Sequence, residues 1–256
     1  MIRAFAVKGV TLALALAACW LLPAGWATAA VIALVVAMVG FFAYTIGHPH
    51  SRFFVPVVDR LAGDAPVVAL TFDDGPDPEV TPRVLDALAA RGVRATFFVL
   101  GARAARHPEL IARMQREGHA VGTHTQHHSL RFHFARPAHV QREIEDAIAV
   151  VGGILGERPT LFRPPQGVRT PLLASAWRRL HGLTCVTWSV RGFDSRPTTA
   201  RAIADRIVPR LGPGAIVTLH DGTGLGGGTD REPTLRALDE ILRACEARGL
   251  RCVALG

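Results

Sequence analysis

The stretch "ALTFDDGPDP", residues 69–78, ends an apolar run with two adjacent aspartates, Asp73 and Asp74, followed at once by a Gly-Pro turn. Two carboxylates this close repel each other and shift each other's pKa, so the pair destabilises the fold unless a proton or a cation resolves it. The stretch alone also fits an ordinary Asp-rich turn that closes a strand. The rest of the chain has to discriminate between these two interpretations.

After residue 53, short apolar runs alternate with longer amphipathic segments, a pattern typical of an α/β domain with a mostly parallel sheet. The apolar runs predict strands at 67–72, 94–100, 119–124, 161–165, 183–190, 215–220 and 251–255. The amphipathic segments predict helices at 80–91, 104–117, 138–155, 171–181, 198–211 and 233–248. Seven strands with six intervening helices favour a barrel-like β/α closure over an open sheet.

Polar side chains recur at or just beyond the C-terminal ends of these predicted strands. They are Asp73, Asp74, His124, Arg163, Asp194 and His220. In parallel β/α architectures this rim is where functional sites are built. We therefore expect these side chains to meet at one site.

The segment "HTQHH", residues 124–128, supplies a second chemical signal. His124 and His128 are four residues apart, which places both imidazoles on one side of a helical turn, whereas His127 is directed elsewhere. With one carboxylate they predict a two-histidine, one-aspartate site for Zn²⁺ or another first-row divalent ion. Such an ion resolves the problem of the paired carboxylates, because one aspartate ligates it and the other stays free as a base.

This set of residues predicts a hydrolytic reaction. A divalent ion lowers the pKa of a water molecule that it binds from about 15.7 towards roughly 7. A neighbouring carboxylate can then accept the proton as the water attacks a carbonyl. A leaving amine needs a proton, and His220, in the strand-end segment "TLHDG", can donate one.

The N-terminal segment has no charged residue from Gly9 to Gly47 and is interrupted by "PAGW" at 23–26. Because about 20 apolar residues span a bilayer, we expect two transmembrane helices, at about 4–22 and 27–47. Basic residues flank this hairpin on both sides, which the positive-inside rule places in the cytoplasm. The alternative is a secretory signal with a cleavage site after Ala29, in which case the second apolar run is a stop-transfer helix or part of a long uncleaved anchor. Both interpretations anchor the chain in the bacterial inner (cytoplasmic) membrane, and the hairpin favours a cytoplasmic catalytic face.

The net charge of +8 comes almost wholly from arginine, with Lys8 the only lysine. The arginines are scattered among acids and alanines, and no basic stripe interleaved with aromatic residues argues for nucleic acid. The four cysteines show no metal-finger spacing. A disulfide between Cys245 and Cys252 is conceivable, but buried free thiols are the expected state.

Five segments in this order, "TFDDGP", "HTQHH", "RPPQG", "WSVRGFD" and "TLH", resemble the polysaccharide deacetylase family, also called carbohydrate esterase family 4 or the NodB homology domain. The resemblance covers about residues 65–256. It implies a distorted (β/α) barrel of NodB type and metal-dependent hydrolysis of N-acyl, sometimes O-acyl, groups on sugars. Residues 1–52 are then the membrane anchor and residues 53–256 the catalytic domain.

The resemblance also implies roles for individual residues. Asp73 is the catalytic base, Arg163 orients it, and His220 is the general acid. Asp194 orients and charges His220, much as a buried aspartate supports a catalytic histidine elsewhere.

The metal and substrate contacts follow from the same resemblance. One divalent ion, Zn²⁺ before Co²⁺, Ni²⁺ or Mn²⁺, is held by Asp74, His124 and His128. The backbone N–H near Gln166 binds the oxyanion, and Leu219 lines a pocket for the acyl methyl group.

Two departures from the family pattern affect the wall that contacts the sugar. Gln166 stands where the family has an aromatic residue, and the fourth motif has Arg191 in place of an aspartate and Ser195 in place of a tryptophan. Arg191 could meet a phosphate or another anionic group, or it could be a surface arginine in a loop.

The leading prediction is a membrane-anchored hydrolase that removes N-acetyl or N-formyl groups from an amino-sugar glycan or a lipid-linked sugar. One alternative keeps the fold and acts on an O-acetyl ester or a non-sugar amide. A third is a catalytically silent binding or scaffold protein. The complete set of acids, histidines and arginine argues against a scaffold, because a scaffold does not need it.

Overall fold

The computed structural model describes residues 2–223 and 230–256, so most of the glycine-rich stretch at 222–228 lies outside the described residues. The chain begins with two helices, α1 (Ile2–Leu21) and α2 (Ala24–Gly47), both long and apolar enough to cross a membrane. They meet at Pro23, whose missing N–H and fixed φ suit the start of a helix. The two predicted apolar helices are confirmed, whereas their place in a membrane stays a prediction.

Within the residues that the structure describes, eight parallel strands follow and form one curled half-barrel. They are β1 (Val67–Asp73), β2 (Thr96–Val99), β3 (Ala120–Thr123), β4 (Leu161–Phe162), β5 (Thr184–Cys185), β6 (Val190–Arg191), β7 (Ile216–His220) and β8 (Arg251–Cys252). The order across the sheet is β5-β4-β3-β2-β1-β7-β6, and β8 pairs with the start of β1. The predicted α/β class and distorted barrel are confirmed.

The helices of this domain alternate with the strands. They are α3 (Thr81–Ala89), α4 (Gly101–Ala104), α5 (Pro108–Arg116), α6 (Pro137–Leu155), α7 (Pro171–Trp177), α8 (Ala200–Ile207) and α9 (Glu232–Ala247). The prediction of a single helix at 104–117 is wrong, because the helical conformation is interrupted between α4 and α5. Pro108 disfavours helical geometry at the preceding residue, and His107 accordingly has a φ of −132°.

The strand predicted at 183–190 is also divided, into β5 and β6. β5 pairs with β4, whereas β6 pairs with β7, so one run of chain reaches both edges of the curled sheet. Between them the backbone N–H of Thr187 donates to Val58 O at 2.9 Å instead of to a neighbouring strand. A straight strand cannot follow two edges that face each other, which is why the strand is interrupted.

Side-chain alternation separates the two faces of the sheet. On β1, Val68, Leu70 and Phe72 are buried in the main core with residues of the surrounding helices. Thr71 and Asp73 occupy the opposite, inner face, as expected for a period of two residues. The register of β1 with β7 pairs Thr71 with Thr218 and Asp73 with His220. Polar groups therefore collect inside the half-barrel at the C-terminal ends of its strands.

The end of α2 and the segment that follows it are built into the α/β domain. The fully buried Arg169 donates from its guanidinium to the backbone oxygens of Gly167 and His48, and its backbone N–H donates to Ile46 O at 3.0 Å. Thr187 Oγ1 donates to the oxygen of Pro49 at 2.8 Å. The predicted boundary at residue 52 therefore falls inside a network of contacts.

We expect Arg169→Met to lower the free energy of unfolding by about 3 kcal/mol, because it removes a buried charged donor and leaves backbone oxygens unsatisfied. Thermal unfolding of the full chain in detergent micelles measures the loss. Arg60→Met is the control, because Arg60 is exposed and donates to Pro213 O, and its effect should stay within about 0.5 kcal/mol. Equal losses in the two variants would contradict the structural role of Arg169.

Candidate active site

Asp74, His124 and His128 form a buried cluster at the C-terminal ends of β1 and β3. The Nε2 atoms of His124 and His128 lie 3.6 and 3.5 Å from Asp74 Oδ1, and one ligand atom of each residue lies within 4.8 Å of the others. One carboxylate and two imidazoles suit a divalent first-row ion such as Zn²⁺. The sequence-predicted ligands are thus brought together.

The hydrogen bonds around this cluster direct its free ligand atoms inward. His124 Nδ1 lies 2.6 Å from the backbone oxygen of Arg163, and because a carbonyl only accepts, Nδ1 donates and Nε2 keeps its lone pair. Burial lowers the pKa of His124 to about 4, so the imidazole is neutral at neutral pH. Asp74 Oδ1 is buried and has no hydrogen-bond partner among the described residues. An orphaned carboxylate oxygen that faces two imidazole nitrogens fits a bound cation.

The backbone of the site is strained at several positions. Positive φ angles occur at non-glycine residues Asp74, Thr125, His128, Gln166 and Phe193, with values from 50° to 73°. Such conformations cost about 1–3 kcal/mol each and cluster at functional sites. These five residues all lie in the predicted motif segments, so the strain coincides with the chemistry.

Asp73 is fully buried beside the cluster and is paired with Arg163. Arg163 Nη1 donates to Asp73 Oδ1 at 2.7 Å, and its Nη2 donates to the oxygen of Thr187 at 2.8 Å. The guanidinium carbon lies 4.1 Å from the centre of the Phe98 ring. Burial opposes the charge of Asp73, but Arg163 and the nearby histidines outweigh it and hold the pKa of Asp73 below its usual value. Asp73 is therefore an ionised carboxylate in a fixed orientation.

His220 and Asp194 form a second buried pair. His220 Nδ1 lies 2.8 Å from Asp194 Oδ1, and the backbone N–H of His220 donates to Asp194 Oδ2 at 2.8 Å. Burial favours neutral His220, but the Asp194 carboxylate outweighs burial and raises the pKa of His220 to about 9. His220 is therefore charged at neutral pH and can donate a proton.

One pocket collects most of the sequence-predicted site residues. Its lining includes Asp73, Asp74, His124, His128, Gln166, Arg191 and His220. Arg163 and Asp194 support Asp73 and His220 from positions that are almost completely buried.

Leu219 is the exception among the predicted site residues. It is buried in the main core, on the face of β7 opposite to Thr218 and His220, and it does not line the pocket. The alternation of side chains along a strand directs Leu219 away from the pocket because both of its neighbours face inward.

Comparison with known proteins agrees with this geometry. A family model described as polysaccharide deacetylase matches residues 61–186. A chitooligosaccharide deacetylase of Bradyrhizobium sp. (strain ANU 289) is 40% identical over 210 residues, which cover 77% of this chain and 94% of that protein. The chain belongs to the polysaccharide deacetylase family. It is thus a hydrolase of the class that acts on amide bonds of acetylated sugars, as the order of the motifs predicts.

Two further members of the deacetylase family show the range of the similarity. PdaC of Bacillus subtilis, a peptidoglycan-N-acetylmuramic acid deacetylase, is 32% identical over 206 residues, which cover 80% of this chain but only 41% of that longer protein. A family 4 acetyl xylan esterase from Clostridium thermocellum, solved with a cobalt ion, is 34% identical with a TM-score of 0.65. That match covers 73% of this chain and 87% of the esterase.

Thr71, Thr218 and Trp188 lie within the five motif segments, but the resemblance implies no role for them. Thr71 and Thr218 both accept hydrogen bonds from Arg163 Nη1, at 2.7 and 3.1 Å. Their signal in the sequence is a threonine two residues before Asp73 and before His220, on the same strand face. Trp188 also lines the pocket, and the positive φ and close approach of Gly167 to its ring leave no room there for a side chain.

His133 lies outside the motif segments and supports Gln166 at the pocket wall. His133 is buried in the short 3₁₀ turn Leu130–His133, and its Nε2 lies 2.6 Å from Gln166 Oε1. The Gln166 side chain is thereby held at the position where the family has an aromatic ring. The sequence signal of His133 is weak, because nothing local connects it to Gln166, which lies 33 residues later in the chain.

Proposed function

We propose that this hydrolase removes an N-acetyl or N-formyl group from an amino sugar in a glycan or glycolipid, with one divalent metal ion as cofactor. The observation that carries the proposal is the ionised, Arg163-bound Asp73 beside the Asp74, His124 and His128 cluster, with a charged His220 in the same pocket. A base, a metal site and an acid on one pocket are the groups that amide hydrolysis needs.

We assign a catalytic role to each residue on the basis of its position in or beside the pocket. Asp73 accepts the proton of the attacking water, whose oxygen forms a bond to the acyl carbon. Arg163 keeps Asp73 ionised and oriented through the 2.7 Å contact. When bound, a divalent ion at Asp74, His124 and His128 polarises the acyl oxygen and lowers the pKa of a water molecule. Zn²⁺ is our first choice, with Co²⁺, Ni²⁺ and Mn²⁺ as alternatives.

The carbon–nitrogen bond breaks as the leaving amine takes a proton from His220. The Asp194 carboxylate, 2.8 Å from Nδ1, holds the His220 imidazole in the charged state, and its second oxygen accepts a 2.8 Å hydrogen bond from the His220 backbone N–H. The backbone N–H near Gln166 is the proposed donor to the negative oxygen that develops on the acyl group. A single donor of this kind is worth about 3–4 kcal/mol in other hydrolases.

The test of this function is proton NMR on the full chain in detergent micelles, loaded with Zn²⁺ or Co²⁺. The panel contains N-acetyl and N-formyl amino sugars, their oligomers and lipid-linked mimics. Release of acetate or formate that needs the added metal supports the proposal. A protein that binds metal but releases no acid from any of these compounds contradicts it, and a protein that binds no metal favours the scaffold interpretation.

An O-acetyl esterase is the second candidate function. The observation that favours it is the 34% identity to the acetyl xylan esterase, together with Gln166 and Ser195 in the sugar-facing wall. An acetylated xylan oligomer in the same NMR panel separates the two candidates, because only an esterase releases acetate from it while leaving N-acetyl sugars intact.

We further propose that α1 and α2 form a membrane anchor and that the catalytic domain follows them. The helices carry large apolar side chains that are more than half exposed, including Trp20, Trp26 and Val36. Such side chains are more stable when they are removed from water, and the hydrocarbon core of a lipid bilayer provides an apolar environment for them. The intact mass of the mature protein tests the proposal, since cleavage after Ala29 would show a signal sequence instead.

The pH profile of kcat/KM tests the role of His220. Activity should fall as pH rises through about 9, where His220 loses its proton. Asp194→Asn removes the charge that raises this pKa, so the alkaline limb should move down towards pH 6.5 or below. Asp205→Asn, on the exposed side of α8, is the control and should leave the limb in place. An unchanged limb in Asp194→Asn would contradict His220 as the acid.

The same pair makes stability depend on pH. The pKa of Asp194 is lowered, against the opposing effect of burial, by His220, and the pKa of His220 is raised by Asp194. The contribution of Asp194 is therefore lost as pH falls below its usual 3.8, and that of His220 is lost as pH rises through about 9. The ion pair stabilises the fold between these limits.

A further inference from the structure

Three arginines lie on the wall of the active-site pocket near β6 and β7. Arg231 is buried and is already engaged, donating to the oxygens of Gly222 and Asp194 at 2.8 and 2.6 Å. Arg191 and Arg196 line the same pocket. Within residues 2–223 and 230–256, neither of these two forms an ion pair or a side-chain hydrogen bond. The wall therefore presents two guanidinium groups with unused donors.

Arg191 is held in a defined position. Its guanidinium carbon lies 4.7 Å from the centre of the Phe193 ring and 5.2 Å from that of Trp188. Phe193 reaches this place from a backbone φ of 57°, a conformation that few side chains adopt without strain. Aromatic rings beside a planar guanidinium fix its orientation and leave its edge free to donate.

The positive charge and the Nε donor of Arg191 are also not fully satisfied by neighbouring groups among the described residues. It is half-buried, burial lowers its pKa, and its buried Nε has no hydrogen-bond partner among the described residues. Asp73 and Asp194 act on it only at a distance, because Asp73 is bonded to Arg163 and Asp194 to His220. A partly desolvated guanidinium whose Nε has no acceptor is costly to the fold, so its place beside the reacting groups points to a ligand that supplies an acceptor and the missing negative charge.

We propose that Arg191 and Arg196 form a subsite for an anionic group of the substrate, a carboxylate or a phosphate ester carried on the amino sugar. The proposal rests on the proposed function, since it assigns the substrate class of that same pocket. Carboxylates and phosphates match the fork of donors on a guanidinium, whereas a neutral sugar hydroxyl does not need its charge. The predicted substrate is an acidic or phosphorylated N-acyl amino sugar instead of a neutral oligomer.

The first experiment compares three substrates on the full chain in detergent micelles with Zn²⁺ bound. They are a neutral methyl glycoside of N-acetylglucosamine, the same sugar with an ether-linked carboxylate, and the same sugar as its 1-phosphate. We expect one or both anionic compounds to exceed the neutral one in kcat/KM by about tenfold or more, the order expected for hydrogen bonds to a charged group. The arm that responds identifies the anion as carboxylate or phosphate.

Arg191→Gln should reduce this ratio about tenfold, mainly through KM, and Arg191→Lys should restore part of it. Arg201→Gln is the matched control, because Arg201 is an exposed arginine of α8 paired with Asp205, and it should keep the wild-type ratio. Equal kcat/KM for neutral and anionic sugars, or a ratio that Arg191→Gln leaves unchanged, overturns the proposal while the hydrolase function stands.

The second experiment measures binding without turnover. Calorimetric titration of the 1-phosphate and of the carboxylate sugar into Asp73→Asn, with and without Arg191→Gln, should show affinity that is lower by about tenfold in the double variant. If binding to the variant depends on Arg191 but the wild-type protein hydrolyses none of the sugars, the subsite is supported and the proposed reaction is contradicted. If Arg191→Gln changes the affinity for neither compound, the subsite is overturned.

Discussion

Asp73→Asn is expected to lower kcat by about a thousandfold while the protein keeps its full complement of bound metal. The substitution keeps the shape of the side chain but removes its ability to take a proton, and positioned acid–base groups contribute about 10²–10⁴-fold. The amide oxygen can still accept from Arg163 Nη1, now 2.7 Å from the carboxylate, so the buried arginine keeps an acceptor. Acetate release by NMR and metal content by atomic absorption measure the two quantities.

Thermal unfolding has to accompany this comparison, because loss of a carboxylate beside a buried arginine also destabilises the fold. Asp64→Asn, at an exposed position before β1, is the control and should retain wild-type turnover. A folded, metal-loaded Asp73→Asn with turnover within a few fold of the wild type would contradict Asp73 as the base.

Asp74→Asn, one position further along the chain, is expected to give the opposite metal phenotype. Its carboxylate supplies the negative charge of the cluster, so the affinity for Zn²⁺ should fall by at least about a hundredfold, more than the loss typical of an outer-shell change. Asparagine tolerates the left-handed backbone of Asp74, whose φ is 73°, so the loop should keep its shape. Competition with a fluorescent zinc chelator measures the affinity.

The two aspartate variants control each other, because the same chemical change is made at adjacent residues. Turnover of Asp74→Asn should recover in part when metal is added in excess, whereas that of Asp73→Asn should not. Wild-type zinc affinity in Asp74→Asn would show that the cluster is not the metal site. Recovery of Asp73→Asn by added metal would show that the roles of the two aspartates are reversed.

Much of the site could be predicted from the order of the motifs along the chain. Asp73 and His220 end strands of an alternating β/α pattern and His124 directly follows one, and the carboxyl ends of parallel strands meet at one rim. Their proximity in the folded protein could therefore be predicted once the strands were assigned. The helix break at Pro108 was also present in the sequence, since the residue before proline disfavours helix, but the long amphipathic pattern at 104–117 outweighed it in the prediction.

Other features depended on contacts between distant parts of the chain. The Arg169 link to His48 and the His133 support of Gln166 each join segments whose separation no local pattern encodes. The orientation of Leu219 was predictable in principle from alternation along β7, but the resemblance to the family directed attention elsewhere.

The amino-acid sequence alone determined the α/β class, the two apolar helices and the identity of the acids and histidines at the strand ends. These follow from local periodicity and residue chemistry, which a linear chain carries in full. Only the tertiary structure decided which polar groups of the described residues remain free of hydrogen bonds: the Nε2 lone pair of His124, Oδ1 of Asp74 and the guanidinium of Arg191. A side chain is free or engaged according to its neighbours in space, and the curling of the sheet brings those neighbours together from every part of the chain.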